Sequence, residues 1–320
     1  MFAARGIAVS LSVFVIVYGI LSLALACGWR RASFGAQRLS VRRAADMLFV
    51  LRMFPLITAA LITAGLTVPS FLLLEPRATD ERVGAVSLAL SACSLILGLV
   101  GIMNAAIVSR RASRVVAGWT RGARPDKSLR SVPVLTISPT SPAMSATGIL
   151  RPKILLSGAA ERRLTRRELQ AALNHELAHV RHADNLKKLL MRFVGFPGMS
   201  GLEATWLEAA EMAADDAAVA TTYDALDLAA ALIKLSQMVP EAATPYLTAP
   251  LVHGRATAVY TRVERLLAWG EERGAATRKY SQLYSLSLGL AAIFAVVAMF
   301  ALNYSRLLTH VHVATEWLVR

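Results

Sequence analysis

Charge is scarce in this chain. Only 18% of its 320 residues are charged while 55% are hydrophobic, and the mean hydropathy is +0.50, so there is too little polar surface to coat an ordinary soluble enzyme. A disordered chain and a coiled coil are excluded on the same ground. Cysteine is nearly absent: Cys27 and Cys93 each sit in an apolar run, which rules out a disulfide framework and a cysteine zinc cluster. Acids are also few, 21 against 35 Lys and Arg, for a net charge of +14. That surplus could suggest nucleic acid, but 29 of the 35 basic residues fall in two stretches, 28–45 and 110–281. It therefore reads first as membrane topology.

What the chain does have is long apolar runs. Residues 7–27 carry no charge, and about 20 apolar residues at 1.5 Å rise match a hydrocarbon core of ~30 Å. Leu23-Ala-Leu-Ala-Cys27 loosely resembles a lipoprotein cleavage site, but the run exceeds the h-region of an ordinary signal peptide. Further spans are expected at 47–74, most apolar from Met53 with Arg52 snorkelling to the interface, at 83–109 and at 281–305. Only a helix satisfies its own backbone in lipid without closing into a barrel, so the predicted fold class is a polytopic α-helical membrane protein with four transmembrane helices. Arg30, Arg31, Arg38, Arg42 and Arg43 follow span one, whereas Arg77 and Arg82 after span two are balanced by Glu75, Asp80 and Glu81. The first connection is then cytoplasmic, the second outside, and the amino terminus outside. Residues 110–280 become a cytoplasmic domain, and 306–320 a short extracytoplasmic tail.

Within 110–280 charges, prolines and helical periodicity return together. Residues 131–138 and 149–157 read as two short strands, and Pro133 and Pro152 would put at least one of them at a sheet edge. Thr165-Arg-Arg-Glu168 has the form of a capping box. One helix is predicted from there to about Phe193, where Gly195, Pro197 and Gly198 stop it. The insert is thus α+β.

His175-Glu176-Leu-Ala-His179 lies on that helix. Residues four apart share a helical face, so both imidazoles can reach one metal ion, and Glu176 is placed to take a proton from water. Two histidines leave a zinc site short of a third protein ligand and of compensating charge. The next predicted helix, 202–222, offers Glu203, Glu208, Glu211, Asp215 and Asp216. Of Glu211 and Asp215, also four apart, one can bind the metal while the other accepts the free N–H of a ligating histidine. Glu203 and Glu208 read as a solvated acidic face. The alanines at 209, 210, 213, 214, 217 and 218 would let this helix approach the histidine helix closely.

Three spans, a cytoplasmic insert and a fourth span, with the runs Gly148-Ile-Leu-Arg-Pro-Lys-Ile-Leu-Leu156, Leu169-Gln-Ala-Ala-Leu-Asn-His-Glu-Leu-Ala-His-Val-Arg-His-Ala-Asp-Asn-Leu186, Trp206 and Glu211-Met-Ala-Ala-Asp-Asp216, resemble the BlaR1/MecR1-type membrane metallopeptidases of the M56 family. The resemblance implies a gluzincin-type zinc protease domain between spans three and four. It further implies one zinc ion ligated by His175, His179 and Glu211, with Glu176 as general base and Asp215 orienting a histidine. A bacterial cytoplasmic membrane and a regulatory role in signal transduction follow from the same likeness. The substrate it suggests is a BlaI/MecI-like repressor or the chain itself. Members that sense β-lactams continue into an extracellular penicillin-binding domain; only fifteen residues follow Ser305 and they contain no Ser-x-x-Lys, so no sensor domain is expected.

The remaining candidates have milder readings. His182 reads as a group behind the ligands or on the surface, and Asp184 as pairing with an arginine or orienting the site. His253, Arg255 and Tyr260 are candidates for stabilising an oxyanion. His310 and His312 alternate in the tail with Glu316 the one acid near them. The arginines at 110, 111, 114, 121 and 124 suit anionic lipid better than direct contact with nucleic acid. Rival functions are an HtpX-like quality-control protease, whose insert is placed differently among the spans, and a non-enzymatic signalling scaffold clamped by a structural zinc. A site-2 protease fits less well, because its metal motif lies within a span.

Overall fold

The structure, a computed structural model, describes residues 2–36, 39–76, 83–129, 132–138, 141–238, 248–250, 256–269 and 302–318. The described parts of Met1–Cys27, Met53–Val100 and Ala275–Arg320 form one compact unit, and those of Gly28–Arg52 and Gly101–Gly274 a second.

Among the described residues, three helical stretches are long and apolar enough to cross a bilayer: Phe2–Arg31, Val41–Leu74 and Ala85–Trp119. They are built from α1 (Phe2–Ala36), α2 (Val41–Ile62), α3 (Val68–Leu74) and α4 (Ala85–Trp119). Helices overrun the apolar runs because backbone hydrogen bonding does not stop where apolarity does, so Arg30 and Arg31 lie on α1 and Arg110, Arg111 and Arg114 on α4. A π-helical turn, Thr63–Thr67, joins α2 to α3. Pro69 in the next turn has no N–H to give to the carbonyl four residues earlier, that of Gly65. Tyr304 fills the gap by donating its hydroxyl to Gly65 O at 2.8 Å. In the same unit Arg5, at the start of α1, is buried and ion-paired with Glu75, the C-cap of α3. The tail is helical over Tyr304–Thr315; on it His312 Nε2 lies 3.8 Å from Glu75 Oε2 and His310 is exposed. The expected fourth span lies outside the described residues over 281–301.

The second unit carries a five-stranded sheet of order β1-β2-β4-β3-β5, made of Arg124–Leu129, Val132–Ile137, Met144–Thr147, Lys153–Ser157 and Thr248–Pro250 for β1 to β5. Only the β2–β4 pair is parallel. Neither of the two strands read from the sequence is an edge, contrary to expectation. Pro152 falls just before β4 begins, and Pro133 sits near the start of β2, where the β1 partner shifts register between Pro125 and Ser128. Pro152 thus lies outside the strand, and Pro133, though paired with Ser128 of β1, lies one residue before the β2–β4 ladder begins at Val134. Between β3 and β4 the chain reverses at Gly148, whose φ of 87° suits glycine; a Cβ there would lie 2.6 Å from Arg151 O.

Helices α5 (Gly158–Arg163), α6 (Arg166–Arg181), α7 (Asp184–Phe193), α8 (Ser200–Ala218), α9 (Thr222–Ser236) and α10 (Ala256–Leu267) complete this unit. The capping box forms as read: Thr165 Oγ1 accepts from Glu168 N, and Thr165 N donates to Glu168 Oε2 at 2.8 Å. A second box, Thr221 with Asp224, starts α9 and ends the preceding helix earlier than the predicted 222. Ile154 and Leu156 of β4, Ala172 of α6 and Leu228 and Leu232 of α9 form one buried core. Each fully buried leucine or isoleucine contributes about 1.5–3 kcal/mol.

Two further expectations are corrected. Arg52 does not snorkel: it is 1% exposed, and its guanidinium donates to Val194 O and, at 3.4 Å, to Met191 O, with Glu203 Oε1 also at 3.4 Å. Carbonyls left open at the end of α7 are a better partner for a desolvated guanidinium than a distant interface. Glu203 is accordingly half-buried against Arg52 rather than part of a solvated face, whereas Glu208 is exposed.

Candidate active site

The histidine helix is also shorter than read. It ends at Arg181, Ala183 takes a left-handed conformation with φ of 53°, and α7 restarts at Asp184. That break turns Asp184 back toward the histidines, with Oδ2 2.7 Å from His179 Nδ1. Asp184 therefore serves a histidine, not an arginine. Asn185 fixes the corner by donating Nδ2 to Ala146 O at 3.2 Å and Gly148 O at 3.3 Å. In turn Ala146 N on β3 donates to Glu176 Oε2 at 2.5 Å. One strand thus holds both the break and the carboxylate.

The residues singled out by spacing come together. His175 and His179 are 0% and 3% exposed, their Nε2 atoms are 3.0 Å apart and their rings stand edge to face. Glu211 reaches them from α8, with Oε2 3.6 Å from His175 Nε2 and Oε1 3.5 Å from His179 Nε2. His175 Nδ1 faces Asp215 Oδ1 at 2.9 Å. The alanines of α8 permit this approach; Ala210, Ala213 and Ala214 are buried. His182 is the C-cap of α6, is half-buried and is outside the group of possible ligands. His253 and Arg255 lie outside the described residues, and Tyr260 is exposed.

The donor set suits a cation. With each Nδ1 facing a carboxylate, the tautomer inferred for both rings carries its N–H there and leaves both Nε2 lone pairs bare. Two such lone pairs 3.0 Å apart repel unless positive charge sits between them. One atom each from His175, His179 and Glu211 falls within 4.8 Å of the other two, an arrangement able to hold a metal ion. Beside them Glu176 Oε1 is buried without a hydrogen-bond partner.

Electrostatics agree. Burial works against a charged His179, but Glu211 and Asp184 outweigh it and push the imidazole up to about 10, so the site attracts positive charge strongly. Burial would also raise Glu211, yet His179 and Arg262 hold its carboxyl well below the ordinary range. Asp215 is kept low against burial by Arg262. At Glu176 burial wins over the attraction of the two histidines and raises the carboxyl to about 7.

Two cations at the site escaped the sequence reading. Arg262 of α10 is 4% exposed and pairs with both Glu211 and Asp215. Lys188, also 4% exposed, is one turn beyond Asp184 on α7; burial lowers its ammonium against the pull of Glu211, Asp184 and Glu176. Its spacing from Asp184 was the available signal. For Arg262, 47 residues beyond Asp215, there was none.

Two histidines on α6, a glutamate on α8 and a buried carboxylate beside them form a group that could hold a metal ion on a mixed α/β domain. Residues 122–266 match the family model described as BlaR1 peptidase M56, consistent with the resemblance read from the sequence. No curated protein matches the chain. That match and the apolar helices support a membrane metallopeptidase.

Proposed function

We propose that this chain is a zinc endopeptidase whose ligands are His175, His179 and Glu211, whose general base is Glu176, and whose active site opens to the cytoplasm of a bacterium. The observation that carries the reading is the buried, unpartnered Glu176 Oε1 next to the two imidazoles. Leaving such an oxygen unpaired costs about 1–3 kcal/mol, which a site that merely clamps helices has no reason to retain.

His175, His179 and Glu211 would hold the zinc, which would supply Lewis acidity toward a peptide carbonyl and a water molecule near neutral pH. Glu176 takes the proton at Oε1 and returns it to the leaving amine, while Oε2 stays fixed on Ala146 N. Asp215 and Asp184 keep the histidine N–H groups turned away from the ligand side. Strands 132–137 and 153–157 do not bind substrate by edge pairing, since both edges of each are occupied.

Orientation rests on the arginine-rich stretch of Arg30, Arg31, Arg42 and Arg43 at the facing ends of α1 and α2. It belongs to the same compact unit as the site, as the positive-inside rule requires if both are cytoplasmic. The substrate class is a cytoplasmic protein, and the family likeness favours a BlaI/MecI-like repressor or the chain itself. The test is Glu176→Gln in the full-length, membrane-extracted protein. It should keep wild-type zinc content and cut neither itself nor a co-expressed repressor; cleavage at the wild-type rate would refute the assignment of the base.

A further inference from the structure

One cation at the site is neither ligand nor base, yet it is hydrogen-bonded to one of the groups that build it and ion-paired with another. Arg262 Nε lies 2.8 Å from Asp215 Oδ2, Nη2 2.6 Å from Asp215 Oδ1, and Nη1 3.0 Å from Glu211 Oε2. Its planar fork thus spans two carboxylates one turn apart on α8. A lysine ammonium, a point charge on a flexible stem, offers no such fixed pair of directions.

We propose that Arg262 is the positioning residue of the metal centre: it ties up Glu211 Oε2 so that Glu211 binds through Oε1 alone, and it holds Asp215 against His175. This rests on the metallopeptidase reading above. Three features carry it. The guanidinium is buried, so its pairs are little screened by water. Without it Glu211 and Asp215, four residues apart on one face, would repel each other. A carboxylate free to swing and bind through both oxygens would take up the position that water needs. By clamping one oxygen, Arg262 keeps a coordination place open, which is what separates a catalytic zinc from a structural one.

The same helix provides its own control. Arg265 Nη2 pairs with Asp216 Oδ1 at 2.6 Å, also joining α10 to α8, but it touches none of the site residues. Docking of α10 does not depend on either arginine alone, because Val259 and Leu266 are buried in the core. The protein should therefore fold when Arg262 is replaced.

The experiment uses the full-length protein in detergent and reads metal binding, not cleavage. Zinc affinity is measured by competition with a chromophoric chelator, and the d–d spectrum is recorded on cobalt-loaded protein. Arg262→Lys is expected to weaken zinc about 10–100-fold, the usual cost of losing a group that orients a ligand, and to change the cobalt spectrum. Arg265→Gln is expected to leave both unchanged while lowering the melting temperature. Should the lysine variant fail to fold, Arg262→Gln is read in the same way. Wild-type affinity and spectrum at position 262 would overturn the proposal, as would an equal loss in Arg265→Gln, which would assign the effect to helix docking. Wild-type protein that binds neither metal would overturn the metallopeptidase reading as well, so the two failures are told apart.

Discussion

Asp184 offers the sharpest test of how the site is held. Its carboxylate lies 2.7 Å from His179 Nδ1 with both side chains at most 3% exposed, so the pair is a short, desolvated, charge-assisted hydrogen bond. Such bonds are worth about 1.5–3 kcal/mol net. If that energy is spent on holding the His179 ring and its tautomer, zinc affinity should fall about 10–100-fold in Asp184→Ala, since each 1.4 kcal/mol is a factor of about ten. Asp184→Asn should lie at the mild end, because an amide oxygen still accepts the N–H but carries no charge. Competition with a chromophoric chelator measures the affinity, and thermal melting of metal-free protein separates a local effect from unfolding. Asp184→Ala protein that melts normally and holds zinc as tightly as the wild type would refute the claim that this carboxylate orients the ligand.

Other parts of the structure carry their own predictions. Arg52→Met removes the donor to Met191 O and Val194 O and strips Glu203 of its counter-charge, so unfolding in detergent should show a loss of about 1–3 kcal/mol; no loss would return Arg52 to the snorkelling role. Gly148→Ala forces a Cβ into the left-handed region and to 2.6 Å from Arg151 O, at a cost of about 1–3 kcal/mol, read as a lower melting temperature and faster amide exchange over 144–157. Burial would raise the Glu168 carboxyl, but Lys234 and the Thr165 cap outweigh it and hold it low. Because the folded value lies below the unfolded one, this contribution is complete above about pH 4.3 and fades as pH falls through the folded value. Glu168→Gln should flatten the acid limb of stability in that window, and an unchanged limb would sink the assignment.

The first three apolar helices were legible because their signal is local and additive: the thickness of a bilayer fixes how many apolar residues must follow one another. The same measure says nothing about interruptions whose solution lies elsewhere in the chain. Pro69 announces a missing donor, but that Tyr304 makes it good, 239 residues from Gly65, appears in no local pattern. Arg52 was misjudged for the same reason. An arginine near the end of an apolar run ordinarily reaches for water, and only the folded corner of α7 reveals carbonyls that bind it more firmly.

At the metal centre the dividing line is also one of sequence distance. His175, Glu176 and His179 were readable because helical geometry alone converts a spacing of four into a shared face. Glu211 and Asp215 followed from the same rule applied to a second helix, with small alanines to bring the two together. The break at Ala183 was read over: alanine is the best helix former, and Asp184-Asn185, residues that favour turns and helix starts, are the one local signal within five residues. A left-handed alanine costs about 1–2 kcal/mol. Asp184 recovers more than that on His179, and Asn185 adds two hydrogen bonds to the backbone of β3. The helix therefore ends there because His179 in its own last turn and the backbone of β3 offer partners that make a local penalty favourable, and the same contacts that break it deliver a carboxylate to one ligand and fix the strand that holds the base.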